Sequence, residues 1–150
     1  MRFNAYTYMA AGFQRVRGTD RGFQRATTSS LAITAGDLLV YSRSAGTVIK
    51  ATSSTSREDV AGVAVETITS SDTSVLMQRV SDHDEFVVNT TNNSNATHNY
   101  QRMVLTDENE VNNTGTDSTS DAAVVEQISP VGAAADKKIL CRFVPMQDRA

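Results

Sequence analysis

The stretch Lys138-Ile139-Leu140-Cys141-Arg142-Phe143-Val144 decides the fold class. Ile139, Cys141 and Phe143 recur at every second position, and Arg142 falls between them. Successive side chains of an extended chain point to opposite faces, so a period of two gives one apolar face and one wet face. The stretch therefore reads as a half-buried β-strand. Working upstream, Val124–Ile128, Arg102–Thr106, Glu85–Asn89 and Val75–Val80 read the same way. Val60-Ala61-Gly62-Val63-Ala64-Val65-Glu66-Thr67-Ile68 is rich in small and β-branched residues, as strands are. Thr47–Ala51, Leu38–Tyr41 and Leu31–Ile33 complete the set. Between them lie turns at Thr34-Ala35-Gly36-Asp37, Ser44-Ala45-Gly46, Ser70-Ser71-Asp72 and Pro130–Gly132, and polar loops at 52–59, 90–99 and 107–121. Strand starts recur at roughly 10-residue intervals, the spacing of a sandwich or barrel. Helical turns are expected only at Tyr8–Ala11 and Ser56–Asp59, because no segment sustains a helical apolar stripe. The expected fold is all-β, a compact β-barrel or sandwich of about eight short strands with an extended N-terminal arm.

Composition agrees with this. The chain has 150 residues, and 39% of them are hydrophobic but only 6% aromatic, so its core is built from Val, Ile, Leu and Ala. Ser and Thr together number about 33, against the usual averages, and nine Asn join them. These residues compete for backbone partners in helix interiors and suit turns and strand edges. Eight Gly and two Pro exclude a collagen-like chain, and the single Cys141 excludes a disulfide scaffold. No apolar run reaches the ~18 residues that span a bilayer. The N-terminal run MRFNAYTYMAAGFQR lacks the unbroken apolar core of a secretory signal, which points to a soluble protein made in a cytoplasm.

Charge divides the chain near residue 30. Residues 1–30 hold five arginines against Asp20, a net +4, whereas residues 31–150 carry nine basic and sixteen acidic residues, a net -7. The first segment also holds five of the nine aromatic residues. We therefore expect an extended basic and aromatic arm over 1–30 and a β-domain over 31–150. The arm contains a repeat, Gly12-Phe13-Gln14-Arg15 and Gly22-Phe23-Gln24-Arg25. Ten extended residues span roughly 33 Å, so two equivalent Phe-Arg anchors could touch two separate sites.

Residues that carry chemistry are sparse. His83 is flanked by Asp82 and Asp84, but neighbours in extended chain point apart and do not converge on one hydroxyl. His98 sits in an Asn/Thr loop with no acid beside it. Cys141 lies on the apolar face of its strand, where a thiol behaves as a small hydrophobe. Asp82-His83-Asp84-Glu85 and Asp107-Glu108-Asn109-Glu110 do not match the spacing of a calcium loop. Four glycosylation-type sequons occur, at Asn89, Asn92, Asn95 and Asn112; the Ser and Thr content explains about half of them by chance, and without a secretory signal they carry little meaning. We expect no enzyme, cofactor or metal. Nucleic acid is disfavoured as a partner because the acidic body repels phosphate. The arm favours protein docking, since arginine and aromatics are enriched at interface hot spots and an extended segment can add a strand to an open sheet edge. The expected contact residues are Phe3, Tyr6, Tyr8, Phe13 and Phe23 as apolar anchors, and Arg15, Arg17, Arg21 and Arg25 as partners of acidic groups.

The β-domain opens with Ile33-Thr34-Ala35-Gly36-Asp37-Leu38-Leu39-Val40, continues through Val60-Ala61-Gly62-Val63-Ala64 and closes on Ile139–Val144. Over roughly residues 31–144 this layout resembles the small β-barrel class of head decoration, or capsid cement, proteins of tailed bacteriophages. The resemblance implies a structural protein that binds the exterior of an assembled capsid and stabilises it. It implies virion localisation, the major capsid protein and neighbouring copies as partners, homotrimers as the oligomer, and no membrane. Two alternatives stand beside it. One is another virion subunit, such as a tail-tube, head-completion or fibre-attachment protein. The other is a β-module that binds carbohydrate or nucleic acid.

Overall fold

The computed structural model describes residues 12–18, 22–117 and 122–146. Eleven strands stand among them. They are β1 (Gln14–Arg17), β2 (Phe23–Thr27), β3 (Leu38–Ser42), β4 (Thr47–Lys50), β5 (Val60–Ala64) and β6 (Ser74–Arg79). Then follow β7 (Glu85–Thr90), β8 (Arg102–Asp107), β9 (Glu110–Asp117), β10 (Val125–Pro130) and β11 (Lys138–Phe143). Among the described residues the helical elements are three short 3-10 turns, one of them at Arg57–Asp59, inside the segment where a helical turn was expected. The other expected helical turn, Tyr8–Ala11, lies outside the described residues. No helix among the described residues is long and apolar enough to cross a membrane.

The all-β expectation holds. Eight of the expected strands are present as β3 to β8, β10 and β11. Leu31–Ile33 is reduced to a single bridge between Ile33 and Ile68, and the strand expected over 60–68 ends at Ala64. Three strands are additional. Two, β1 and β2, come from the N-terminal segment, and β9 comes from what reads as a polar loop.

The strands form two sheets. In the first, β7, β11, β10, β8 and β9 follow one another by hydrogen bonding, and β9 returns to β7 in parallel through Asn89 opposite Glu110 and Thr90 opposite Val111. Five strands thus close a small barrel, which leaves no free edge among them. β1 lies along the same edge of β7 farther on, with Gln14 opposite Val87 and Arg15 opposite Phe86. The second sheet has the order β2-β6-β5-β3-β4 and is antiparallel throughout.

Its central strands are buried on both faces. Leu38, Val40, Val60 and Val63 pack on the barrel core with Phe86, Met103, Leu105, Ile139, Cys141 and Phe143. Leu39, Ala61, Ala64, Val75 and Met77 face the other way and pack with Ile33, Val48 and Ile68. This explains the nearly continuous apolar runs of β3 and β5, which alternation alone does not produce. Gly62 sits where the neighbouring strand comes very close. A Cβ there would lie 2.5 Å from the Gln78 carbonyl oxygen. The two motifs that carry the decoration-protein resemblance are physical neighbours, with Leu38 opposite Val63 and Leu39 opposite Gly62.

The Thr34–Asp37 turn joins the parts. Gly36 N donates to Ala64 O at 2.8 Å, Leu38 N to Glu108 O at 2.7 Å, and Phe13 N to Gly36 O at 2.8 Å. Sheet, barrel and N-terminal segment therefore meet there. Asp37 closes the turn by accepting from Thr34 N at 2.9 Å.

Composition sets residues 1–30 apart, and the described part of that segment pairs into both sheets. Residues 14–17 and 23–27 are extended as expected, but each is a strand of the body rather than an arm leaving it. The reason is the Phe13 ring, which fills the barrel core at 3% exposure. Full burial of such a side chain stabilises by about 1.5–3 kcal/mol, enough to hold a segment that composition marks as separate.

Candidate interaction surface

The two copies of the Gly-Phe-Gln-Arg repeat enter different sheets. Both begin at a glycine with positive φ, +114° at Gly12 and +75° at Gly22, a conformation open to glycine at little cost. Gly12 also lies against the Gly36 backbone, where a Cβ would meet the carbonyl oxygen at 2.5 Å. Beyond that start the copies diverge. The Phe13 ring stacks on Phe143 at 5.6 Å between centroids and meets Phe86 edge-on at 6.2 Å. Phe23 is 60% exposed. The expectation of two equivalent anchors is therefore corrected. Phe13 is a core residue of its own chain, and Phe23 remains a surface ring.

The arginines divide similarly. Arg15 is partly buried beside Phe86 in the register of β1 and β7. Arg17 is exposed and lies 3.5 Å from Glu85. Arg25 bonds Glu66 at 3.1 Å and Ser74 Oγ at 3.3 Å, with its side chain 56% exposed. Phe3, Tyr6, Tyr8 and Arg21 lie outside the described residues. Because β1 and β2 end their sheet orders, each leaves one edge without a strand partner among the described residues. Phe23, Arg17 and Arg25 stand on these two edge strands.

A second feature was not legible in the sequence. β2 and β4, the two ends of the second sheet, approach one another across an open seam. The seam holds a groove of about 520 Å³. Ala26, Val48 and Tyr41 supply its apolar surface, and Gln24, Thr27, Ser42 and Thr47 supply amide and hydroxyl groups. Arg25 and Arg43 flank it, and no carboxylate lines it. Arg43 is held by Asp59 at 3.1 Å and by Glu58 O at 3.4 Å.

The chemistry-bearing side chains are placed as follows. His83 is exposed in the Ser81–Asp84 turn, and His98 ends a 3-10 turn. Cys141 is fully buried, and burial pushes its thiol up, which keeps it protonated. Asp37 is buried and its carboxyl is raised from the ordinary value by that burial, against the lowering effect of the Thr34 N–H bond. No group of three His, Cys, Asp or Glu among the described residues could hold a metal ion. Arg57, which the sequence does not single out, is buried beneath the barrel end. It bonds Val144 O at 2.8 Å and Asp82 at 2.6 Å and stands 5.3 Å over the Phe143 ring. This ties the C-terminal strand, the Ser81–Asp84 turn and the Arg57–Asp59 turn together.

No protein-family model matches this sequence, and no curated protein matches it.

Proposed function

We propose that this chain is a structural virion protein, a decoration or cement protein that binds the exterior of an assembled capsid and stabilises it. The observation that carries the reading is the pair of edge strands from the N-terminal segment, one on each sheet, with Phe23 60% exposed beside Arg25. An open edge offers backbone hydrogen bonds to an incoming strand, and an exposed aromatic with arginines nearby supplies the side chains of an interface hot spot. The resemblance of β3, β5 and β11 to capsid cement proteins supports the same role. The partners are the major capsid protein and neighbouring copies, the oligomer a homotrimer, and the role non-enzymatic. Many weak contacts repeated over a lattice add through effective concentration, so a domain this small suffices.

The test begins with the copy number of this chain in purified particles, by quantitative mass spectrometry against the most abundant shell protein. A ratio near one, or a simple fraction of it, is expected. A handful of copies would move the role to a tail or connector subunit, and absence would remove the virion reading. Capsid binding is then compared for the full chain, a chain starting at Gly12, and Phe23→Ser. Deleting residues 1–28 is not a clean test, because it removes β1, β2 and Phe13 from the fold. Undiminished binding by both the Gly12 truncation and Phe23→Ser would overturn the N-terminal docking surface.

A further inference from the structure

We infer that the groove between β2 and β4 is a binding site for an acidic sugar, a pyranose ring that bears a carboxylate. Its volume of about 520 Å³ falls in the range of small-molecule sites. The lining chooses the ligand. Gln24, Thr27, Ser42 and Thr47 carry groups that both donate and accept hydrogen bonds, which suits a ligand whose hydroxyls do the same. Tyr41 adds an aromatic surface against which the C–H face of a sugar ring packs.

Arg25 and Arg43 supply the charge selectivity. Each is fixed by one carboxylate, Glu66 for Arg25 and Asp59 for Arg43, so its rotamer is set before a ligand arrives. The side chains remain 56% and 69% exposed. A guanidinium has five N–H donors, and these pairs engage only some of them. The remaining donors suit a carboxylate, which accepts two parallel bonds. The lining itself holds no acid. Glu66 and Asp59 offset the two cations, so the selectivity rests on the remaining N–H donors rather than on net charge.

This site shares Arg25 and the free edge of β2 with the proposed docking surface. It makes no use of Phe23, and the copy-number experiment and the following one fail separately. The full chain, labelled with nitrogen-15, is titrated with methyl glucuronide, methyl glucoside, acetate and adenosine monophosphate, and amide shifts are followed. We expect saturable shifts at Tyr41, Ser42, Thr47 and Gln24 with the glucuronide. Affinity for the glucoside should be about tenfold lower, the scale of one charge-assisted hydrogen bond. Acetate alone should give no saturable response. Arg43→Gln should weaken glucuronide binding about tenfold and glucoside binding by a smaller factor, and equal losses for the two ligands would overturn the role of Arg43. Absence of saturable shifts with the glucuronide would overturn the site. Equal binding of glucoside and glucuronide would overturn its acid selectivity. Tighter binding of adenosine monophosphate would overturn the sugar assignment in favour of a nucleotide.

Discussion

Phe13 and Phe23 occupy the same position in a four-residue repeat, yet replacing each by alanine should have very different effects. Phe13 is 3% exposed, stacked on Phe143 and edge-on to Phe86. Removing a buried phenyl ring costs about 3–5 kcal/mol, transfer and cavity together. The two ring contacts place Phe13→Ala toward the upper half of that range, because each aromatic pair adds about 0.5–1.5 kcal/mol beyond area. We expect a loss of about 4 kcal/mol. For a domain of this size, 1 kcal/mol shifts the thermal midpoint by about 2–4 °C, so the midpoint should fall by about 10 °C. Phe23→Ala removes a ring that is 60% exposed and should stay within about 0.5 kcal/mol of the parent. Urea unfolding followed by circular dichroism, with the slopes compared, measures both. A Phe13→Ala loss below about 1 kcal/mol, or equal losses for the two variants, would refute the placement of the N-terminal segment in the barrel core.

Three further outcomes are expected. Cys141 should resist an aromatic disulfide reagent in the native protein and react fully in denaturant, because it is buried and its thiol is held protonated; rapid native labelling would contradict its place in the core. Burial raises the Asp37 carboxyl, so its charged form is disfavoured in the fold, and the penalty is fully present above the folded pKa and fades as pH falls toward the unfolded value near about 4. Asp37→Asn keeps an acceptor for Thr34 N and should therefore gain on the parent at neutral pH and lose that gain in acid, read from urea midpoints; a gain that grows in acid would reverse the sign. Arg57→Ala should cost about 3–5 kcal/mol, since it strands a partly buried Asp82 and the Val144 carbonyl, whereas Asp82→Ala combined with Arg57→Met should recover part of the loss. Equal stability of Arg57→Ala and the parent would show that the tie is not made in solution.

Local signals reached far in this chain. The alternation of Ile139, Cys141 and Phe143 survives as the buried face of β11, and turns such as Thr34–Asp37 fall where Gly, Asp and Thr put them. They failed where burial depends on a distant partner. β9 is a strand because Val111 and Asn113 both point inward, the latter with its amide bonded to the Asn92 and Asn93 backbone. A polar residue satisfied in this way carries no apolar period for a sequence reading to find. The closing pair of β7 and β9 is parallel and non-local, and no short-range pattern specifies it.

The candidate surface shows the same division. Composition alone marked residues 1–30 as rich in arginine and aromatics, and the repeat alone marked Phe13 and Phe23. Identical neighbours along the chain cannot say which ring is buried. That was decided by what stands opposite in space. The barrel core offers Phe86 and Phe143 to Phe13, whereas β2 sets Phe23 opposite Gln78 and leaves it 60% exposed. The groove has no sequence signal at all, because its walls come from strands that are neighbours only once the second sheet has curled. Period and turn chemistry act over a few residues and set which segments become strands. Closure and burial act between segments far apart in the chain, and only the tertiary fold sets which side chains are left for a partner.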